Sequence, residues 1–400
     1  MKSYAKIKAG IFSLTLLSMA ALGITPSLGL IMSDFPEAGA SAVQMLMSLP
    51  SLMAVASAAV VGRIANRTSK KMLSLVGTVL VAAGGLLPYF IPAGLDFMLV
   101  CAAVLGFGVG LITNLTQLLF TEFLPPEERQ RAMAENTAFV SIGAMFMTTV
   151  GGQLAQSGWR NNYLVYLSAV AVFICAMVLI PNDGPEAHAD NGSGCRPAKK
   201  QMAKASYVVL VLGVLYLIAY NAFPNNIAMY LADAGFGDPA LAGLASSVSL
   251  LGGLVGGLVL GKILPYFRKL SFAVAFALIG LSYVVLSLVQ SLPCIFIFSF
   301  ISGTALSVFF SQAPFVLSVI NPGSMIAKAI ALYSVGTSLG GFLSPVVLNA
   351  VSGGNAQMSI LAAGILSLAV CAVLVLTRFQ ERTLEQDAGT ASATMNSGND

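Results

Sequence analysis

Long apolar runs alternating with short polar pieces divide the chain into twelve stretches: 9–32, 41–62, 71–92, 96–121, 132–156, 163–181, 206–231, 240–263, 270–290, 292–319, 326–350 and 357–377. Each is close to the ~20 residues a helix needs to cross a bilayer. The pieces between them carry turn formers and charge, as in "DFPEAG", "LPPEERQ", "SGWRNN", "DAGFGDP" and "NPGSM". Connections this short make neighbouring helices antiparallel. The pattern predicts an all-α integral membrane protein with 12 transmembrane helices. The first run has a second reading. "MKSYAKIKAGIFSLTLLSMAALG" has the basic start, apolar middle and small residues of a signal peptide. The apolar run continues through "ITPSLGLIM", long enough to span, and this favours a helix.

Composition agrees with the pattern. The 400 residues are 57% hydrophobic and 9% charged, where a soluble domain carries about 25% charge. The distribution of charge adds orientation. With the N-terminus placed in the cytoplasm, every lysine and arginine except Arg160 falls in an inner segment. The densest cluster, "GRIANRTSKK" (62–71), becomes the inner loop between helices 2 and 3. By the positive-inside rule the expectation is a multi-pass protein of the cell's inner (plasma) membrane with both termini cytoplasmic.

The widest polar gap, 182–205, is rich in Gly, Pro, Ala and charge and reads as a cytoplasmic linker. It separates an N-terminal six-helix bundle (1–181) from a C-terminal one (206–378), followed by a tail (379–400) that reads as disordered. The halves can be laid over each other. Pro26 matches Pro224, Gly62 and Lys70 match Gly261 and Lys269, and "RAMAENTAFVSIG" (131–143) matches "KAIALYSVGTSLG" (328–340), all at nearly one offset. This predicts a duplicated unit and two pseudo-symmetric bundles.

With these motifs in view, the chain resembles the major facilitator superfamily over essentially its whole length. The loop between helices 2 and 3 is similar to the family's, with Gly62, Arg67, Lys70 and Lys71 at matching positions. Asn66 and Ser69 stand where the family has Asp and Gly. "LPPEERQRAMA" (124–134), which includes Glu122's neighbours and Arg131, looks like the family's loop between helices 4 and 5. "SGWRNNY" (157–163) looks like its turn between helices 5 and 6. The resemblance implies two bundles rocking about a central cavity walled by helices 1, 4, 7 and 10. Drug/proton antiporters of the family often carry a Gly-Pro pair in helix 5. "GAMFMTTVGG" (143–152) has no proline, which weakens an exporter reading.

Candidate chemistry follows from what the apolar interior contains. Acids lie in loops or near span ends, and no Lys or Arg falls at a span centre. This argues against a mid-membrane carboxylate relay or a fixed cation. Asp34 and Glu135 are the acids nearest to exceptions, and Asp34, beyond Pro26, is the first candidate for coupling. Uncharged polar residues remain. Helix 7 carries Tyr220, Asn221 and Asn225 around Pro224, helix 4 carries Asn114 and Gln117, helix 10 carries Gln312 and helix 11 carries Tyr333. Amides and phenols buried among apolar side chains need partners, so these seven are the candidate substrate contacts. The serines and threonines are read as joining helices, and the glycine runs as allowing close packing. Gly62, Arg67, Lys70, Lys71, Glu122, Arg131, Pro26 and Pro224 are the candidate gating positions, with Arg67 meeting Glu122 as a latch.

The five cysteines and the lone His188 have no spacing that points to a disulfide framework, metal or cofactor. The expected function is gradient-driven transport of a small organic solute by alternating access, by a monomer. The expected partners are the substrate, a coupling proton or other ion and the lipid bilayer, with no nucleic acid. The alternatives are efflux (antiport) of lipophilic or drug-like compounds, and a transport-inactive membrane sensor or scaffold. No enzymatic constellation appears.

Overall fold

The computed structural model describes residues 2–64, 68–91, 93–124, 126–181, 202–267, 270–321 and 323–382. Among them are 12 helices long and apolar enough to cross a membrane. They are α1 (Ala5–Asp34), α2 (Gly39–Ile64), α3 (Lys70–Phe90), α4 (Leu95–Phe123), α5 (Pro126–Ala155) and α6 (Trp159–Leu179), then α7 (Lys204–Asp233), α8 (Pro239–Phe267), α9 (Ser271–Leu288), α10 (Leu292–Ile320), α11 (Gly323–Ser352) and α12 (Ala356–Thr377). All twelve expected stretches are helices. Boundaries shift by a few residues, as where α6 begins at Trp159 instead of 163 and α8 runs to Phe267 instead of 263, and the largest shift is at α5, which begins at Pro126 instead of 132.

Local chemistry explains several ends and breaks. Ser69 caps α3, its side chain accepting from the Met72 N–H, and Asn355 caps α12 by accepting from the Met358 N–H at 2.9 Å. Pro26 lies in a 3-10 stretch, Ala20–Ser27, that interrupts α1. A proline has no N–H to donate and crowds the carbonyl four residues back, so the regular ladder fails there. At the start of this stretch the Tyr166 hydroxyl donates to Ala20 O at 3.0 Å, fastening it to α6. In α7 the break falls at Asn221, and Pro224 sits in the first turn of the segment beyond it. Pro224 leaves the Tyr220 carbonyl without its helical donor, and the Tyr283 hydroxyl takes that place at 2.8 Å.

The packing repeats between halves. In the first, α4 packs on α2 and α3, α3 on α6, and α1 on α5. In the second, α10 packs on α8 and α9, α9 on α12, and α7 on α11. The same partners recur six helices later, as the sequence overlay predicts. Between the bundles, α5 meets α8, α2 meets α11 and α1 meets α7. Because an even number of helices alternate in direction, both ends of the chain's helical array lie at one end of the molecule, the terminal end. The loop after Asp34 lies at the opposite, distal end.

Residues 379–382, expected to begin a disordered tail, instead form a helical turn. Gln380 is buried: its side chain accepts from the Phe272 N–H at 3.0 Å and donates to Ser271 Oγ at 2.7 Å. The rest of the tail and most of the linker, with His188 and Cys195, lie outside the described residues.

Candidate functional site

The hydrogen bonds that join the two bundles among the described residues lie from mid-helix to the distal end. Thr148 and Thr149 of α5 share protons with Ser247 of α8 at 2.7 and 2.6 Å. Gln156, at the distal end of α5, donates to the Asp238 carboxylate at 3.0 and 3.2 Å. Between these bonds the helices touch through glycine. A Cβ on Gly152 would fall 2.8 Å from Pro239 O, and one on Gly243 would strike Thr148 O.

The most buried link is a set of three amides. Gln44 of α2 donates to Asn226 Oδ1 of α7 at 2.8 Å, and Asn349 of α11 donates to Gln44 Oε1 at 2.9 Å and to Ser41 Oγ at 3.0 Å. Gln44 is 0% exposed, Asn226 1% and Asn349 7%. Each amide satisfies another across the bundle interface, so buried hydrogen bonds fasten the bundles here.

The terminal half differs. Thr113 and Gln117 of α4 are exposed, as are Phe310 and Ser311 of α10. Val100 and Ile297, toward the distal end of the same helices, are exposed as well. We assign the exposed positions in the terminal halves of α4 and α10, one helix from each bundle, to a cleft open toward the terminal end. The polar groups among these four exposed positions are amide and hydroxyl.

The sequence matches the family description "Major Facilitator Superfamily" over residues 10–264 and 208–394. The chain belongs to the major facilitator superfamily. It is thus a multi-pass integral membrane protein with a transporter fold, not that of a catalytic enzyme. Among characterised proteins it is similar to macrolide efflux protein A of Streptococcus pyogenes, 20% identical over 243 residues. That match takes in 56% of this chain, which spans only 60% of the length of the relative. Two solved structures share the fold. One is a POT family transporter in complex with 5-aminolevulinic acid (TM-score 0.75, 13% identity, 94% of this chain and 96% of that one). The other is a bacterial homolog of the human lysosomal transporter Spinster, inward-facing and unoccupied (TM-score 0.74, 14% identity, 96% and 98%).

For this superfamily member the expected contact residues separate into groups. Gln117 is exposed at the cleft, while Asn114 is half-buried and donates to its own helix at Gly110 O, 2.7 Å. Asn221 is half-buried at the α7 break, donating to Leu217 O at 2.8 Å. A Cβ on Gly341 would lie 3.4 Å from its Nδ2 and 3.7 Å from Ser51 Oγ, so Asn221 stands where α2, α7 and α11 converge. Tyr220 is half-buried beside it. Asn225 is 1% exposed and neither amide atom has a partner among the described residues. Tyr333 is 3% exposed with its hydroxyl also unpartnered. Gln312 does not face the cleft. It accepts from Ser271 Oγ at 3.1 Å, within the same network that holds Gln380. A buried amide needs a partner, and here the donor is on α9.

Of the gating positions, Arg67 and the side chains of Glu122 and Arg131 lie outside the described residues, so the expected latch does too. Lys70 is buried at the start of α3, and Lys71 is half-buried beside it. Asp34 is exposed at the distal end and accepts from Trp159 Nε1. Both belong to the first bundle. Glu135 is paired with Lys8 at 2.6 Å, so that charge is neutralised near the terminal end of α1.

The sequence reading missed Gln44, Asn226 and Asn349. A signal was available: Gln44 and Asn349 are the only amides in their apolar runs. The serines and threonines act largely as expected, Thr304 donating to Gly252 O at 3.1 Å and Ser307 to Gly253 O, which fastens α10 to α8.

Proposed function

We propose that the protein is a secondary transporter that moves a small, neutral or weakly charged organic solute by alternating access, driven by a gradient. The observation that carries this is the asymmetry of the bundle interface, joined by amides and hydroxyls toward the distal end, with Gln117, Phe310 and Ser311 exposed in the terminal half. Rocking the bundles about their middle would break the first set and close the second, exposing one central site to each side in turn. In the charge-derived orientation the terminal end is cytoplasmic, and the structure is then the inward-open state. Gln117, Asn114, Tyr220, Asn221 and Tyr333 are the contacts proposed for substrate, with Asn225 reached once the distal half parts. Asp34 is the proposed coupling carboxylate, lying on the side where a proton would enter. Its replacement by Asn should abolish pH-driven accumulation while leaving equilibrium exchange intact.

A second reading, export of lipophilic compounds, is supported by the exposed Phe310 ring and by the similarity to a macrolide efflux protein. Transport is tested in proteoliposomes of fixed orientation, with uptake and efflux of solute panels followed under imposed proton and sodium gradients. Solute movement dependent on the protein and on a gradient is expected. Absence of flux for every panel, with the protein folded and inserted, would leave the sensor or scaffold reading.

A further inference from the structure

Four aromatic rings close a loop at the terminal-side cleft. Tyr216 of α7 stacks on Phe309 of α10, with centroids 4.1 Å apart and planes within 1°. Phe309 meets Phe310 at 6.3 Å, and Phe310 meets Tyr333 of α11 edge-on at 6.3 Å. The loop closes through Gly213, one turn before Tyr216: a Cβ there would lie 2.8 Å from the Tyr333 ring. Tyr216 is 0% exposed and Tyr333 3%, while Phe310 is 41% exposed at the cleft.

Among the described residues neither hydroxyl of the two tyrosines has a hydrogen-bond partner. Three other tyrosines, each at most 1% exposed, are treated differently. Tyr166, Tyr230 and Tyr283 each donate to a backbone carbonyl, Ala20 O at 3.0 Å, Leu286 O at 2.6 Å and Tyr220 O at 2.8 Å. A buried hydroxyl left unpaired costs about 1–3 kcal/mol, and phenylalanine at either place would keep the packing without that cost. The two oxygens therefore do nothing for this fold that carbon and hydrogen would not do better.

We propose that Tyr216 and Tyr333 form a recognition site for a hydrogen-bond acceptor, such as a carbonyl or ether oxygen, on a neutral ligand with a flat apolar body. The site is reached from the cleft past Phe310. Each phenol has one hydrogen bond to donate, and an acceptor oxygen on the ligand is the group that either lacks. The exposed ring of Phe310 supplies the apolar surface on which the body of the ligand lies, backed by the fully buried Phe309. This deepens the transport reading, on which it rests for the ligand's route, and gives the substrate class: neutral, aromatic or flat, acceptor-bearing.

The test uses the full-length purified protein and three probes. Benzophenone has two rings and one acceptor, diphenylmethane has the rings alone, and tetraphenylphosphonium has rings and a positive charge. Benzophenone should bind more tightly than diphenylmethane and should photolabel peptides carrying Tyr216 or Tyr333. Tyr216→Phe and Tyr333→Phe should each weaken benzophenone roughly 2- to 10-fold and leave diphenylmethane unchanged. Their melting midpoints without ligand should equal or exceed that of the parent. A fall in midpoint in both variants would show that the hydroxyls serve the fold and would overturn the proposal. So would equal affinity for benzophenone and diphenylmethane in the parent, or tetraphenylphosphonium binding tightest and indifferent to both substitutions. Discrimination between the probes with no flux of any solute in proteoliposomes would instead count against transport and leave the site standing.

Discussion

A single amide has opposite consequences on the two sides of the bundle interface. Gln44 is fully satisfied, bridging Asn226 and Asn349. Gln44→Ala leaves those two without it in a buried interface, a loss of about 1–3 kcal/mol from the distally closed state. The ratio of closed to open molecules should fall by a factor of roughly 5 to 150. Spin-label distances across the distal ends of α2 and α11 would report it as a longer population. Asn225, one residue before Asn226, has the reverse character. It is buried and unpaired here, so any state that hydrates it is favoured by its presence. Asn225→Leu, which has the same branching and number of heavy atoms, should shift the same distances toward the closed value and raise the melting midpoint. Unchanged distances in both variants would sever these amides from the conformational balance. The sequence marked Asn225 and passed over Asn226, its neighbour. Adjacent residues on a helix point about 100° apart, and which of the two meets a partner depends on α2, nearly two hundred positions away.

At the scale of the helix, the sequence disclosed existence and order well, because a stretch that must cross hydrocarbon has to be apolar along its whole length. Facing was not disclosed, for the same reason. A helix in a soluble protein shows a polar side and an apolar side, but a membrane helix is apolar toward lipid and toward its neighbours alike. Gln312 was accordingly expected at the cleft and lies against α9 instead. Glycine carries more positional information than the polar residues do. Where α5 crosses α8, Gly152 and Gly243 let two backbones touch. Gly243→Ala puts a methyl group against Thr148 O, and the distally closed packing should lose about 1–3 kcal/mol. The expected signs are faster labelling of a cysteine introduced at the distal end of α8 and a lower melting midpoint. Gly257, on the same helix, serves as the control: a methyl group there would meet only Ser307 Oγ, at 3.8 Å, so alanine should be tolerated.

At the scale of the molecule, the question is whether the two bundles exchange a locked distal half for a locked terminal half. Charge distribution and internal repetition made the two-bundle architecture legible, since a repeat offset and alternating loop charge both survive without knowledge of any contact. The state could not be read, because one sequence must support both. Gln156 and Asp238 give a direct handle. They come from different bundles, meet through two hydrogen bonds and lie at the accessible distal end. In a background lacking the native cysteines, Gln156→Cys with Asp238→Cys should be joined by a short bifunctional thiol reagent with a cleavable disulfide in its spacer. The bridge would hold the distal half shut and leave the terminal-side cleft open. Flux in proteoliposomes should then stop, while equilibrium binding from the terminal side persists, and reductant should restore flux. Each single-cysteine variant, treated identically, should keep its activity. Flux undiminished by the bridge would mean that solute passes without the distal half parting, and alternating access about this interface would have to be abandoned.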